Sequence, residues 1–335
     1  MAPAKRVTIR DVADAAGLSP AAVSYALRGI MVSEETQERV RDLADELGYE
    51  ANPIARALAS GRTGTIGILG PSLEDLWQQR LVAQAGRVLL ERDRYALILD
   101  AGGEPLRQRA LAAQLRDQQV DGLIVSPVDP SDPSWAEIVA AVPVVVLGDT
   151  FSAATAQGEV LYDNRSGVRA ALAHLHGLGH RRVVVLRPPG SPTNDRPAEQ
   201  VVAEESRRLG LEVRVATAGY ELREATERAR ELLDSVPRPT AVFCFADGFA
   251  YGAYEAAREL GIRIPDELSV IGYDDHPVSG VLTPPLTTFS WNSRRLMEIA
   301  VEMLLAAIDG APVSPRRVVI RPELRERGSA APAPG

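Results

Sequence analysis

The chain has 335 residues, a length that fits about two domains, with room for a small extra piece. Hydrophobic residues make up 45% and charged residues 24%, which excludes wholesale disorder, and the single cysteine, Cys244, excludes an internal disulfide framework or a multi-cysteine metal site. The net charge of −8 excludes a bulk polycation, but a local face can still be basic, so nucleic-acid binding stays open.

No apolar run reaches the ~18 residues of a membrane span, so no membrane partner is expected. The N-terminus, MAPAKRVTIRDV, lacks the apolar stretch of a secretory signal, so a cytoplasmic protein is expected. Residues 1–50 then read as three short helices. Thr8 is a good N-cap, with Asp11 in the capping-box position, and Ile9, Val12, Ala13 and Ala16 follow at helical spacing. Gly17 stops that helix. Ser19 caps the second, Pro20 takes its first position, and Val23 and Leu27 point inward over Ala21–Arg28. Ser33 caps the third, Glu34 and Glu35 fill its first turn, and Gly48 lies just past its end. Two helices joined by a short Gly-containing turn suggest a helix-turn-helix; an ordinary three-helix cap on a larger domain fits the pattern equally well. Charge does not decide, since residues 1–62 hold eight basic and nine acidic side chains.

The residues themselves are more specific than the pattern. The run VTIRDVADAAGLSPAAVSYALRG, followed by VSEETQERVRDLADELGYEANPIARALASGRTGTIGIL, resembles the lactose-repressor (LacI/GalR) family of bacterial transcription regulators. The resemblance implies a helix-turn-helix headpiece over 1–50, a hinge helix over 51–62 and a two-lobe effector-binding and dimerisation core over 63–327, while the Pro/Gly/Ala-rich end over 328–335 reads as a disordered tail. It implies that the second helix lies in the major groove of double-stranded DNA, on a pseudo-palindromic operator bound by a homodimer. Base-reading positions fall on Pro20, Ala21 and Tyr25. Two of these are small or apolar and make no bidentate base contact, so Tyr25 is the best single candidate. Thr8, Ser19, Ser24 and Arg28 are expected at the DNA as well, the serines at phosphates. Arg28 stands where the family commonly has Asn, and the turn Gly29-Ile30-Met31 is one residue short.

In the hinge, the resemblance assigns Asn52, Ala55 and Leu58 to the minor groove, with Leu58 the wedge between base steps. A helix of about two turns is not stable alone in water, so this segment is expected to order only against DNA. Ala51 replaces the usual proline.

From Thr65 onward, short β-branched runs alternate with helical patterns. Candidate strands are Thr65–Leu69, Ala96–Leu99, Gly122–Val125, Val142–Leu147, Arg182–Leu186, Glu212–Ala216, Ala241–Phe245, Leu268–Ile271 and Val318–Arg321. Candidate helices are Gln79–Arg92, Arg107–Gln118, Gly167–Leu178, Arg223–Ser235, Tyr251–Leu260 and Ser293–Ile308. The alternation predicts an α/β core of doubly wound parallel sheets, long enough for two lobes, with ligands held at the carboxyl ends of strands. Family blocks such as GLIVSP, VPVVVLGDT and ELSVIGYDD continue the resemblance and imply a periplasmic-binding-protein-like core. In that fold the lobes exchange strands near Gly158–Asn164 and Thr283–Ser290, and the last strand returns to the first lobe.

The resemblance places Asp149, Arg196, Tyr220, Ala246 and Asp274 at a small-molecule effector, a sugar or related metabolite. Trp77, near the first strand's exit, is a candidate second aromatic wall, with interface or core packing as an equal alternative. Asp149 and Asp274 have helix capping as an alternative, and Asp247 is expected to cap the following helix. Ala246 stands where the family often has Asn, and 196–200 reads RPAEQ in place of R-x-x-G-[FY].

An effector-controlled repressor is the function these residues imply; a solute-binding protein without operator binding is the alternative. An enzyme is not expected, because there is no G-x-S-x-G elbow and no P-loop, and GILGPS lacks a dinucleotide fingerprint. No cofactor is expected. His174 and His176 point apart on a helix and His180 falls in a turn, so no metal is expected either.

Overall fold

The structure is a computed structural model that describes residues 7–27, 29–49, 61–190 and 198–334. The chain divides into two compact units, Met1–Thr63 and Gly64–Gly335.

The first unit contains α1 (Ile9–Ala16), α2 (Pro20–Leu27) and α3 (Glu34–Glu46). At α1 the Asp11 carboxylate accepts from Thr8 N and from Thr8 Oγ1, each at 2.7 Å, and Gly17 ends the helix at φ 68°. Ser19 Oγ accepts from Ala22 N at 3.2 Å and so caps α2. Ser33 Oγ does the same for α3, accepting from Thr36 N. Helices of eight residues do not hold alone. They hold here because Val12, Ala13 and Ala16 of α1, Val23 and Ala26 of α2, and Val40 and Ala44 of α3 close one small core. Arg39 of α3 adds a hydrogen bond to the Ala16 carbonyl at the end of α1, where a cation is favoured. Met31, exposed, takes φ 58° in the turn between α2 and α3.

The second unit is built on two parallel sheets. The first joins β1 (Thr65–Gly70), β2 (Tyr95–Asp100), β3 (Gly122–Val125), β4 (Val144–Leu147), β5 (Gly158–Tyr162) and β11 (Arg317–Ile320) in the order β11-β5-β4-β3-β1-β2. The second joins β6 (Arg182–Arg187), β7 (Glu212–Thr217), β8 (Ala241–Cys244) and β9 (Ser269–Ile271) in the order β7-β6-β8-β9. Apolar residues fill three of these strands: Leu, Ile and Val follow Gly122 in β3, Val and Leu make up β4, and Ala241, Val242, Phe243 and Cys244 make up β8. All three are buried along their whole length, as strands covered on both faces require.

Between the first-lobe strands lie α4 (Leu76–Leu90), α5 (Pro105–Asp117) and α6 (Trp135–Ala141). The second lobe carries α7 (Asn164–Gly177), α8 (Ala198–Leu209), α9 (Leu222–Leu233) and α10 (Asp247–Glu259). After β9 a 3-10 turn (Pro277–Gly280) leads to β10 (Thr288–Ser290) and then to α11 (Ser293–Ile308). That last helix returns to the first lobe, packing on α4 and β3 through Leu296, Met297, Ala300, Val301 and Leu304. β11 follows into the first sheet beside β5, as expected, and β12 (Glu323–Arg325) then pairs antiparallel with β10. The chain therefore crosses between lobes three times, at 162–164, at 290–293 and at 321–328.

The tail corrects the sequence reading. Residues 328–334 are not a free end. Ser329 is fully buried, and its Oγ accepts from Thr287 N at 2.8 Å and donates to the Val270 carbonyl at 2.6 Å. Val270 N donates to the Ser329 carbonyl at 2.8 Å, and Ala333 N to the Leu178 carbonyl. The small residues that read as disorder are the ones that let this strap lie flat along the edge strand β9. His180, also fully buried, receives it: its Nε2 lies 3.1 Å from the Ala331 carbonyl, while Nδ1 meets Thr240 Oγ1.

Candidate functional site

In the headpiece unit the fold sorts α2 into two faces. Val23 and Ala26 are buried against α1 and α3, so the residues between them turn outward. Ser19, Pro20, Ala21 and Tyr25 are exposed together and Ser24 is half-buried. These are the positions expected to meet bases and phosphates. Thr8 is exposed, but its hydroxyl is engaged by Asp11. Arg28, Asn52, Ala55 and Leu58 lie outside the described residues.

In the larger unit the strand ends converge from both lobes. Every expected pocket residue that is described follows the carboxyl end of a strand: Trp77 after β1, Asp149 after β4, Tyr220 after β7, Ala246 after β8 and Asp274 after β9. Arg196, in the segment after β6, lies outside the described residues. Trp77 is nearly buried and meets Tyr162, at the end of β5, edge-on at 6.0 Å. Tyr162 in turn tilts against Trp291 at 5.4 Å, and Trp291 Nε1 donates to the Tyr273 carbonyl at 2.7 Å. Tyr220 stacks on Phe249 at 5.7 Å. Asp149 is buried and accepts from Thr150 N. Ala246 is the N-cap of α10 with no side-chain bond to offer.

Asp247 differs from expectation, and Asp274 takes the helix-capping role that was its alternative. Asp247 does not cap its own helix; Asp274 does, its Oδ2 accepting from Asp247 N at 2.9 Å. The Asp247 carboxylate, fully buried, grips the segment after β9 instead. Its Oδ1 accepts from Tyr273 N at 2.8 Å and Thr288 Oγ1 at 2.6 Å, and its Oδ2 from His276 N at 2.8 Å and Ser279 Oγ at 2.5 Å. Only glycine fits at 272, because a Cβ there would lie 2.1 Å from Asp247 Oδ1.

The sequence reading missed Asp75, Arg80, Tyr162 and Trp291. Asp75 caps α4, accepting from Trp77 N at 2.9 Å. Its position just before an apolar helical run was the available signal. Burial pushes the Asp75 carboxyl up to about 6, against the lowering effect of that cap bond. Burial also drives Asp274 well above the usual carboxylate range, with the neighbouring Asp247 and Asp75 carboxylates adding to it and Arg80 opposing it. Carboxyl groups from facing lobes thus act on one another. The carboxyl groups offer hydrogen-bonding oxygens and the rings offer flat walls, which suits a polar ring-bearing ligand. Cys244 is buried, its thiol pushed well above its ordinary value, so it is inert as a nucleophile. No group of three or more metal-ligating side chains occurs among the described residues. No helix among them is long and apolar enough to cross a membrane.

Comparison with known proteins decides the family. The model of bacterial regulatory proteins, lacI family, matches residues 8–52, and that of the periplasmic binding protein-like domain matches 172–330. The ribose operon repressor of Escherichia coli (strain K12) is 30% identical over 330 residues, covering 96% of this chain and 99% of that one. The chain belongs to the LacI family. Another LacI-family relative, the HTH-type transcriptional repressor PurR of Vibrio atlanticus (strain LGP32), is 31% identical over 332 residues, 96% of this chain and 98% of that one. Among solved structures, the lac repressor dimer bound to operator and the anti-inducer ONPF superposes with a TM-score of 0.84 at 26% identity, covering 98% of this chain and all of that one. The LacI-family assignment makes this chain a DNA-binding transcriptional regulator with a helix-turn-helix headpiece and a periplasmic-binding-protein-like core. These relatives are repressors rather than enzymes.

Proposed function

We propose that the chain is a homodimeric repressor that binds a pseudo-palindromic operator and is controlled by a small molecule held between the lobes of its core. The observation that carries this reading is the exposed row Ser19, Pro20, Ala21 and Tyr25 on an α2 whose opposite face is buried. An eight-residue helix turned outward in this way fits a major groove, with side chains at base edges and the capped N-terminus at phosphates. Acting on genomic DNA, the protein works in the cytoplasm.

Dimerisation is supported by the similarity to the lac repressor dimer and by exposed apolar residues at the end of α4 (Leu90) and on the edge strand β2 (Tyr95 and Ile98). A solute-binding protein without operator binding is disfavoured by the lacI-family match over 8–52. The effector site draws on Trp77, Asp149, Tyr220, Ala246 and Asp274, with Arg196 reaching hydroxyls or carboxylates of a sugar or related metabolite. In the hinge, Asn52, Ala55 and Leu58 act in the minor groove; Thr8, Ser24 and Arg28 support the headpiece on the backbone.

The test is a pair of variants of the full-length protein. Leu58→Ala should weaken binding to a selected operator far more than it changes effector binding, since only the DNA-bound state uses the wedge. Arg196→Ala should abolish an effector response while leaving operator affinity nearly intact. Equal loss of both activities in either variant contradicts the division of labour.

A further inference from the structure

The segment after β9 has three faces within a few residues. Asp274 turns toward the strand-end cleft and caps α10. Asp275 pairs its carboxylate with Arg327, and its carbonyl accepts from Arg80 Nη1. In and just past the 3-10 turn, Val278 and Val281 are exposed. All three are set by Asp247, whose two oxygens bind donors from 273 through 288. A segment gripped at so many points moves as one piece.

Arg80 is different in kind from the other partners. It sits on α4 of the first lobe, whereas Asp275 follows β9 of the second. Next to it, Leu76 of α4 lies 3.8 Å from the position a Cβ would take on Gly248, in the first turn of α10. The two lobes therefore touch here, through one apolar contact and one charge-assisted hydrogen bond. The bond reaches the residue beside Asp274, and the Arg80 charge also acts on the Asp274 carboxyl.

We propose that Arg80 is the latch between the lobes: its guanidinium holds the Asp275 carbonyl and so ties the lobe spacing to the segment that carries Asp274. Asp247 is the positioning residue that keeps that segment rigid. A molecule hydrogen-bonded at Asp274 shifts the same segment that Arg80 grips, and the lobe contact responds. This rests on reading the cleft as the effector site. Loss of a hydrogen bond to a charged group shifts a two-state equilibrium by roughly 10- to 100-fold, enough to change which lobe spacing dominates.

The experiment measures the lobe spacing directly in the full-length, ligand-free protein. Spin labels go on Gln114→Cys in α5 and Ala203→Cys in α8, both exposed; the native Cys244 is buried and stays unlabelled. The double-labelled parent should give one dominant distance by pulsed electron spin resonance. Arg80→Ala and Arg80→Gln should each add a second population at a different distance, and Arg80→Lys, which keeps a cationic donor, should restore much of the first. A distance distribution unchanged in both Arg80→Ala and Arg80→Gln overturns the latch. Failure of the parent to bind any duplex overturns the repressor reading instead and leaves this result standing.

Discussion

Asp247 and Asp274 hold each other through their backbones: Asp247 N donates to Asp274 Oδ2 at 2.9 Å, and Asp274 N lies 3.2 Å from Asp247 Oδ1. Each carboxylate completes the other's local structure, one by capping a helix and the other by fixing a loop. The pair joins α10 to the strand-end cleft, and the buried Asp247 carboxylate is met by several short donors.

That interlock predicts a large stability effect. Asp247→Asn turns one acceptor oxygen into a donor facing other donors. The core should lose about 2–4 kcal/mol, read by urea unfolding of the full-length protein. A loss below about 1 kcal/mol contradicts the hub.

Asp75 makes stability depend on pH. Its carboxyl keeps its proton in the folded core up to about 6, against an ordinary value of 3.8. The folded state therefore binds more protons than the unfolded chain between these values. The contribution is full below 3.8 and is lost as pH rises through about 6; it amounts to at most about 3 kcal/mol. Asp75→Asn keeps a good N-cap and carries no charge. Its Tm should exceed that of the parent above about pH 6, and the two should converge toward pH 4. A difference that stays constant across that range contradicts the buried acid.

The docked tail gives a third test. Ser329→Ala removes the acceptor for Thr287 N, a buried donor. Unfolding free energy should fall by about 1–3 kcal/mol. Removal of residues 329–335 should cost at least as much, since Val270 N loses its acceptor too. A truncated chain as stable as the parent contradicts the strap.

Much of this architecture was legible in the sequence, because buried parallel strands are written as β-branched runs and helix starts as caps. Gly122–Val125 and Ser293–Ile308 fall where the pattern puts them. Other elements carry no such signal. Glu323–Arg325 is three residues, two of them charged, and is a strand only because β10 lies beside it. Gly158–Tyr162 opens on glycine and was readable only as a lobe crossing. The start of α10 at Asp247 was hidden by Gly248 and Gly252, poor helix formers, the second of which tight packing requires: a Cβ at 252 would lie 2.6 Å from the Ala225 Cβ. At the cleft, an aromatic residue type near the first strand's exit marked Trp77, and the family resemblance marked Asp274. The role of Asp247 depends on donors 26 to 41 residues away and has no local signature.

On the headpiece, Tyr25 is the exposed side chain best able to reach a base. Tyr25→Ala should weaken binding to a selected duplex by roughly 5- to 150-fold, about 1–3 kcal/mol, with the melting temperature nearly unchanged. Val23→Ala, on the buried face, should do the opposite and lower stability first. Undiminished binding by Tyr25→Ala contradicts the assignment of this face.

The most direct test of the whole account is selection of bound duplexes from a random DNA library by the full-length protein at one fixed, near-physiological salt concentration, since the phosphate contribution varies steeply with salt. It is run with and without a small-molecule extract of the source cells, to supply any corepressor. The account predicts a pseudo-palindrome with a C·G step at its centre, where paired hinges insert, and half-sites read by α2. Absence of an enriched site under both conditions, or enrichment of an asymmetric one, contradicts it.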